Sequence, residues 1–428
     1  MRRRERNKLN AYVRTFLPGT IMTGYFLLCG LVAGYSQEQI QFNYKTYGLE
    51  KDEENVIQNA AHLDDFFEKL HHIKTTGKTK VSIIHLGDSH IQADYLTAVV
   101  RKNIQLDFGD AGRGLIVPGR VAATNEPANI HSSSNVHWNV KRCIYPNQPL
   151  PIGIGGITIN TNQSDAQLTI QMTDPLHDYS FNTVTLFFQK DKTSFNFSIK
   201  DTTNQELGFM GPYTEEPFVN YSRITLPHAV NKISIHTMKS TDEQRQATIF
   251  GIGFENGNDG VLYHAIGVNG AKYSDYNAAL YFARQTQGLQ PDLFIISLGT
   301  NESLGFPYVD RSFSVQIDKL ISSLKEYNPQ AKFILVTPPD AFRKKVKANP
   351  GVEIIRQQII QYAVENGLAF WDMYKALGGK GSAQMWRKEG LLRPDGVHFS
   401  KEGYEYQGNL LYNAIIKSYN QYAPFRHP

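Results

Sequence analysis

Hydrophobic residues between about positions 53 and 116 recur in patterns that predict both helices and a strand. In residues 56–73 they repeat with helical spacing, which predicts an amphipathic helix, and the apolar run VSIIHL (81–86) predicts a buried strand. Residues 91–108 predict a second helix soon after that strand. This part of the chain therefore has α/β character.

The spacing changes to a period of two between about residues 123 and 262. Apolar and polar residues alternate in AQLTIQM (166–172) and SFNFSIK (194–200), while FNTVTLFF (181–188) is a more continuous apolar run. Short strands of this kind, separated by turns rich in Asn, Asp, Gly and Pro, are typical of an antiparallel β-sandwich.

After residue 263, helix and strand patterns alternate again, and Gly367 is placed to cap a predicted helix. The predicted strands are DLFIISL (292–298), KFILVT (332–337) and LAFWDM (368–373), and the predicted helices are residues 312–329, 352–367 and 400–422. Strands that alternate with helices predict a parallel sheet with helices on both faces.

The simplest architecture that joins these parts is an α/β domain interrupted by a second domain. We predict a parallel sheet flanked by helices, formed by residues 37–122 and 263–428, and an antiparallel β-sandwich inserted as residues 123–262. The length of 428 residues also favours two domains over one. Residues 1–36 are set apart by their charge and hydrophobicity.

Basic residues are concentrated in those first 36 positions, which changes the meaning of the formal net charge of +4. The segment holds six basic residues and one acidic residue, so 38 basic and 39 acidic residues remain in the rest of the chain. The body of the protein is therefore nearly neutral, and its charge gives no reason to expect a nucleic-acid partner.

The basic start precedes an apolar run, TIMTGYFLLCGLVAG (20–34), and this order predicts a secretory signal. A retained membrane anchor is the alternative, because the 23 residues between Arg14 and Glu38 carry no charge, although Pro18 favours the signal. We therefore predict a periplasmic or secreted protein, with an inner-membrane anchor facing the periplasm as the alternative. After cleavage only Cys143 remains, so we expect neither an internal disulfide nor a cysteine-based metal site.

Three short segments lie where α/β proteins usually carry their functional residues, just after the carboxyl ends of strands. A fourth segment follows the end of the predicted insert. In chain order the four are HLGDSH (85–90), AIGVNGA (265–271), SLGTNES (297–303) and RPDGVHFS (393–400).

These segments contain the groups that ester cleavage requires: an activated hydroxyl, a base oriented by an acid, and donors for the oxyanion. Ser89 follows a buried strand and begins a helix, as a nucleophile would. Asp395 can hold the imidazole of His398, three residues later. Asn301 can direct an amide N–H at an oxyanion, and Gly270 lets the backbone approach the substrate. Each motif alone is common in turns, so the prediction depends on their order and placement.

A metal site and an α/β-hydrolase active site are alternatives to the esterase site, because they use similar residue types. HLGDSH could belong to a metal site, but Glu302 stands where metallophosphoesterases need a His, and the upstream Asp-x-His is missing. We therefore predict no metal and no cofactor, and interpret His85 and His90 as structural. The motif GxSxG, which marks the nucleophile elbow of α/β-hydrolases, does not occur.

Three further residues are interpreted as structural, and two of them have a functional alternative. Asp88 is interpreted as a turn former that ties neighbouring loops together. Arg113 is interpreted as structural, with a substrate carboxylate as the alternative partner. Trp138 and the other aromatic residues of the predicted insert are interpreted as core, with stacking on sugar rings as the alternative.

Taken in order, the four segments resemble the SGNH (GDSL-type) hydrolase family, whose conserved blocks supply Ser, Gly, Asn and His. The corresponding residues here are Ser89, Gly270, Asn301 and His398, with Asp395 as the partner of the His. The resemblance covers roughly residues 79–118 and 263–416. Two positions depart from the usual motifs of the family: His90 replaces the Leu of GDSL, and Glu302 replaces the Asp of GxND.

Within that family the chain is most similar to the peptidoglycan O-acetylesterases of Gram-negative envelopes. The motifs that this chain shares with them are GDSHIQAD (87–94), GDAGRG (109–114) and GVNGA (267–271). Those proteins carry an insert similar to a carbohydrate-binding module between the first and second blocks, so the resemblance implies the same for residues 123–262.

The resemblance implies a serine esterase that removes O-acetyl groups from a glycan through an acetyl-enzyme intermediate. The favoured partner is peptidoglycan acetylated at O6 of muramic acid. The catalytic residues would be Ser89, His398 and Asp395, and the oxyanion would meet the N–H groups of Ser89 and Gly270 and the amide of Asn301. Two alternatives stay open: an acetylesterase for another acetylated polysaccharide, and a glycan-binding protein without catalytic activity.

Overall fold

The computed structural model describes residues 44–145, 150–212, 221–308 and 312–422. The predicted leader, residues 1–36, lies outside the described residues. The strands are β1 (Ile57–Gln58), β2 (Lys80–Gly87), β3 (Gly114–Ile116), β4 (Ile130–Ser134), β5 (Asn139–Arg142), β6 (Ile157–Thr161), β7 (Gln167–Met172), β8 (Phe181–Phe188), β9 (Asn196–Lys200), β10 (Glu206–Met210), β11 (Tyr221–Val230), β12 (Lys232–Met238), β13 (Ala247–Glu255), β14 (Gly260–Gly267), β15 (Leu293–Ser297), β16 (Lys332–Val336), β17 (Phe342–Arg343), β18 (Lys347–Ala348) and β19 (Ala369–Trp371).

The α-helices are α1 (Asp64–Thr76), α2 (Ser89–Gln92), α3 (Tyr95–Phe108), α4 (Tyr273–Asn277), α5 (Phe282–Gln285), α6 (Thr300–Ser303), α7 (Phe313–Tyr327), α8 (Pro350–Glu365), α9 (Met373–Ala376), α10 (Ser382–Lys388) and α11 (Lys401–Asn420). Short 3-10 helices span Ala60–Leu63 and Thr286–Leu289. Within the part of the chain that the structure describes, no helix has both the length and the hydrophobicity to cross a membrane.

A six-stranded sheet forms the centre of the α/β part, in the order β1-β19-β16-β15-β2-β14. Its strands pair in parallel except for β1, which runs antiparallel to β19. In β2, Ile84 and Leu86 belong to one hydrophobic cluster, whereas Val81 and Ile83 belong to another. Both faces of the sheet are therefore covered, as expected for a parallel sheet made of continuous apolar strands. The predicted α/β fold class is confirmed.

Two antiparallel sheets occupy the middle of the chain, in the orders β10-β9-β12-β7-β4 and β11-β8-β13-β6-β5, and β3 also pairs with β13. The ring of Phe188 in β8 meets the ring of Phe197 in β9 edge to face at 5.0 Å, so the two sheets pack against each other. Strand β3 lies before the predicted boundary at 122/123 but pairs with β13 of the predicted insert. Strand β14 spans the predicted boundary at 262/263 and pairs with β2. The division into domains, and the likeness of the insert to a carbohydrate-binding module, stay predictions.

The helix predicted over residues 56–73 is wrong at its start. Residues Ile57 and Gln58 form β1 against β19, and helix α1 begins only at Asp64. The chain turns at Asn59, which has a left-handed backbone (φ 55°) and donates its side-chain amide to the carbonyl of Leu368 at 3.1 Å. Pairing between distant segments therefore overrides the local helical pattern.

The helix predicted over residues 91–108 is interrupted at Asp94, where φ is 61°. The Asp94 carboxylate accepts hydrogen bonds from Thr97 at 2.5 Å, Arg101 at 2.5 Å and Arg113 at 2.6 Å. These buried partners hold the unusual backbone in place. As a result, the short helix α2 ends before α3 begins.

Three neighbouring strands end in register at the edge of the central sheet that carries the predicted site residues. Gly87 at the end of β2 lies opposite Gly267 of β14 and Ser297 of β15. A Cβ on Gly87 would lie 2.3 Å from Cγ1 of Ile91, so glycine allows α2 to fold closely over the strand end. The loops after β2, β14 and β15 therefore start side by side.

Candidate active site

Ser89, His398 and Asp395 form a continuous chain of hydrogen bonds. The Oγ of Ser89 lies 2.9 Å from Nε2 of His398, and Oδ2 of Asp395 lies 3.1 Å from Nδ1 of the same ring. The structure thus brings together a hydroxyl and an imidazole that are 309 positions apart in sequence. This arrangement can transfer the serine proton to the imidazole while the carboxylate holds the ring.

The loop that carries His398 is held by its own hydrogen bonds. The Oδ1 of Asp395 accepts the backbone N–H groups of Val397 at 2.8 Å and His398 at 2.9 Å. Burial raises the pKa of Asp395, but these two bonds and the one from the His398 ring outweigh it, so the pKa lies below its usual value. Asp395 is therefore ionised at neutral pH and can accept the N–H of the imidazole.

Two predicted oxyanion donors, the backbone N–H groups of Ser89 and Gly270, belong to residues that line the same pocket. Ser89 is the first residue of α2, so its N–H has no partner within the helix. Gly270 has φ 85°, a left-handed backbone that favours glycine. Space is not the reason for this glycine, since the nearest atom to an added Cβ would be Cδ1 of Ile144 at 3.8 Å.

Asn301, the third predicted donor, lies in α6 and also lines the pocket. Its side-chain amide donates to Oδ2 of Asp88 and to the carbonyl of Ala271, each at 3.0 Å. Both amide protons therefore have acceptors within the protein, and donation to an oxyanion would replace one of these bonds. Asp88 ties the loops after β2 and β15 together through this contact, in line with its interpretation as a turn former.

Gln92 is a site residue that the sequence reasoning missed. Its Oε1 accepts the backbone N–H of Asn269 at 2.6 Å, and its amide donates to Oγ1 of Thr124 at 2.5 Å. The side chain is largely buried and connects α2, which carries Ser89, to the backbone next to Gly270. The only signal for it in the sequence was its place within GDSHIQAD.

His90 packs directly behind the imidazole of His398. Its ring lies 5.6 Å from the ring of His398, measured between centroids, and its Nδ1 lies 3.0 Å from the hydroxyl of Tyr404. Burial, followed by the charge of His398, lowers the pKa of His90 to about 3. The ring is therefore neutral at physiological pH, which fits a supporting role and not a proton-transfer role.

Two buried carboxyl groups lie next to the oxyanion region. Burial raises the pKa of Asp88 to about 7, against a hydrogen bond from the His90 backbone, and the charge of Glu302 raises it further. Burial also raises the pKa of Glu302 to about 7, although its Oε1 accepts the backbone N–H of Tyr273 at 2.9 Å. Ionising these groups at alkaline pH therefore costs stability.

Ser89 lines a pocket of about 510 Å³. This volume is in the range of sites for small molecules or single sugar units. The pocket is lined by Ser89, Ala93, Tyr95, Asn125, Glu126, Asn269, Gly270, Asn301, Arg393, His398 and Tyr404. Apart from the predicted residues, its walls include parts of α3, of the segment that leads into the antiparallel sheets, of the loop before α11 and of α11 itself.

Other residues considered from the sequence lie away from this pocket. Both ring nitrogens of His85 are engaged, with Tyr263 and Ser297, and burial lowers the pKa of His85 to about 3. Arg113 is buried on Asp94 and so is not placed to hold a substrate. Trp138 is 2% exposed and therefore belongs to the core, which excludes stacking on sugars.

Comparison with known proteins agrees with this geometry. Residues 243–406 match the model of the GDSL-like lipase/acylhydrolase family, and this range includes Gly270, Asn301, Asp395 and His398. Over this range the chain is similar to acylhydrolases, a class of enzymes that cleave carboxylic esters. No curated protein matches the chain at a significant level.

Solved structures extend the likeness beyond the family match. A structure titled "Peptidoglycan O-acetylesterase in action, 5 min" has a TM-score of 0.71 at 21% identity and covers 87% of this chain and 100% of its own. The two chains therefore share a fold over nearly their whole length. Two other structures overlap only in part. A lipase/acylhydrolase from Enterococcus faecalis is 22% identical, covers 37% of this chain and 77% of its own, and has a TM-score of 0.29. The acetyl xylan esterase AlAXEase is 17% identical, covers 36% of this chain and 81% of its own, and has a TM-score of 0.30.

Proposed function

We propose that this protein is a serine esterase that removes O-acetyl groups from a glycan, with peptidoglycan as its polymer. The observation that carries the proposal is the 2.9 Å contact between Oγ of Ser89 and Nε2 of His398, with Asp395 on the opposite ring nitrogen. A hydroxyl alone is a weak nucleophile near neutral pH, and this contact supplies the base that activates it.

In the first half of the reaction, Oγ of Ser89 attacks the acetyl carbonyl carbon while its proton moves to Nε2 of His398. The oxyanion that forms meets the N–H groups of Ser89 and Gly270, and Asn301 joins them by exchanging one of its present acceptors. The sugar oxygen then leaves with the proton from His398. This step leaves an acetyl group esterified to Ser89.

In the second half, His398 takes a proton from water, and the resulting hydroxide oxygen attacks the acetyl carbonyl. The same donors receive the second oxyanion. Collapse of this intermediate returns the proton to Ser89 and releases acetate. Throughout, the carboxylate of Asp395 keeps Nδ1 protonated and stabilises the imidazolium form of His398.

Two observations support peptidoglycan as the polymer. The fold is shared over 87% of the chain with a structure described as a peptidoglycan O-acetylesterase. The pocket is wide enough for a sugar unit, and its walls are rich in polar groups. A substrate in the cell envelope also suits a periplasmic or secreted location. The bond cleaved would be the ester between the acetyl group and O6 of muramic acid.

The test is acetate release from acetylated peptidoglycan, with chemically de-acetylated wall as a blank. We expect Ser89→Ala to abolish release while the thermal unfolding midpoint stays near that of the wild type. Ser133→Ala is the matched control, because Ser133 is exposed and lies outside the pocket. An unchanged rate in Ser89→Ala would exclude this nucleophile.

The two remaining hypotheses give different results in the same assay. An esterase for another polysaccharide would release acetate faster from acetylxylan than from peptidoglycan. A glycan-binding protein without activity would release none, and a serine-directed fluorophosphonate would not label Ser89.

A further inference from the structure

Arg393 is fixed in the loop that carries the catalytic histidine. Its backbone N–H donates to the carbonyl of His398 at 2.7 Å, and its own carbonyl accepts the N–H of Gly396 at 3.0 Å. The side chain is exposed and lines the same pocket as Ser89. Any group that Arg393 binds would therefore be held close to the reacting ester.

Arg393 forms no ion pair within the described pocket wall. The other charged side chain there, apart from the catalytic histidine, is Glu126, which is paired with Arg120 at 2.9 Å and accepts the N–H of Ser132 at 3.1 Å. The carboxylate of Glu126 is only 5% exposed and is neutralised by Arg120, so it is not available to pair with Arg393. Among residues 44–145, 150–212, 221–308 and 312–422, no side chain pairs with the Arg393 guanidinium.

We propose that Arg393 binds a carboxylate on the acetylated sugar and thereby makes the enzyme selective for anionic glycans over neutral ones. This inference rests on the proposed function and specifies its substrate class. A guanidinium can hold a carboxylate through two parallel hydrogen bonds, which an ammonium cannot do with the same geometry.

Muramic acid carries such a group, whereas glucosamine does not. The two N-acetylated sugars have the same pyranose ring. Muramic acid carries in addition a lactyl ether on O3, which ends in a carboxylate or in a peptide bearing carboxylates. Both sugars can be acetylated at O6. A comparison of the two therefore changes the recognised group and keeps the scissile ester.

The experiment measures kcat/KM for 6-O-acetyl-N-acetylmuramic acid and 6-O-acetyl-N-acetylglucosamine. We expect the wild type to prefer the anionic sugar about tenfold, the size expected for a partly exposed charge-assisted pair. Arg393→Gln should bring the ratio close to one, and Arg393→Lys should keep part of the preference. High salt should reduce the wild-type ratio because the pair is exposed.

Lys388→Gln is the matched control, since it removes the same charge from an exposed position outside the pocket and should leave the ratio unchanged. A wild-type ratio near one, or a ratio that Arg393→Gln does not alter, would overturn the role of Arg393 while leaving the esterase intact. No Ser89-dependent release from either sugar would overturn the proposed function, and the role of Arg393 with it.

Discussion

Replacing Asp395 by Asn tests whether its negative charge supports catalysis. Oδ2 lies 3.1 Å from Nδ1 of His398, while Oδ1 accepts two backbone N–H groups of its own loop. An asparagine keeps an oxygen for the backbone bonds but places an uncharged group against the imidazole. The loop should therefore stay folded while the imidazolium loses its counter-charge.

The exposure of the pair sets the size of the effect. Two unit charges about 4 Å apart attract by about 1 kcal/mol in water and about 4 kcal/mol at an effective dielectric constant near 20. The side chains of Asp395 and His398 are 43% and 37% exposed, which places the pair between these limits. We expect a loss of about 2 kcal/mol in transition-state stabilisation, or roughly 30-fold in kcat/KM.

The assay is hydrolysis of p-nitrophenyl acetate, with thermal unfolding measured in parallel. Asp395→Ala is the comparison variant, because it removes the backbone acceptor as well and should lower both the rate and the unfolding midpoint. A loss below about threefold in Asp395→Asn, equivalent to about 0.7 kcal/mol, would refute an electrostatic role. Equal destabilisation of both variants would show that Asp395 serves only the loop.

Two further predictions concern residues around the oxyanion region. Gln92→Leu leaves the backbone N–H of Asn269 without its acceptor, and an unpaired buried N–H costs about 1–3 kcal/mol. The loop that carries Gly270 should therefore become less ordered, and we expect kcat to fall about tenfold. An unchanged kcat in a folded variant would contradict this. Glu302 has a folded-state pKa of about 7, above its unfolded value, so the stability it contributes at acidic pH is lost as pH rises through 7. Glu302→Gln should therefore unfold at a higher temperature than the wild type at alkaline pH, with the gap closing towards pH 5, and a gap independent of pH would exclude this cause.

The fold of the α/β part could be predicted because its strands are long apolar runs that local context does not alter. The predicted site residues followed from the same signal, since parallel strands place the loops after Gly87 and Ser297 at one edge of the sheet. The contact between Ser89 and His398 could be expected only from the order of the motifs, because no local pattern links them. The predicted assignment of catalytic roles awaits the experiments above.

The features that the sequence did not predict depend on contacts between distant residues. The break at Asp94 requires a left-handed backbone that Arg101 and Arg113 stabilise, and helical periodicity carries no trace of them. Gln92 is a polar residue on a short helix, which is common on surfaces, and its role depends on the backbone of Asn269. The place of Asn301 in two internal hydrogen bonds could be seen only once the loops were assembled.

The ion cluster at Asp94 joins the segment just after Ser89 to the middle of the chain. Arg113, which binds the Asp94 carboxylate, also donates from Nε to the side-chain oxygen of Asn129 at 3.3 Å. Excising residues 123–262 would remove Asn129 and strip the cover from a guanidinium that is 1% exposed. Engineers who want a minimal catalyst should therefore graft new specificity onto the intact polypeptide and not shorten it.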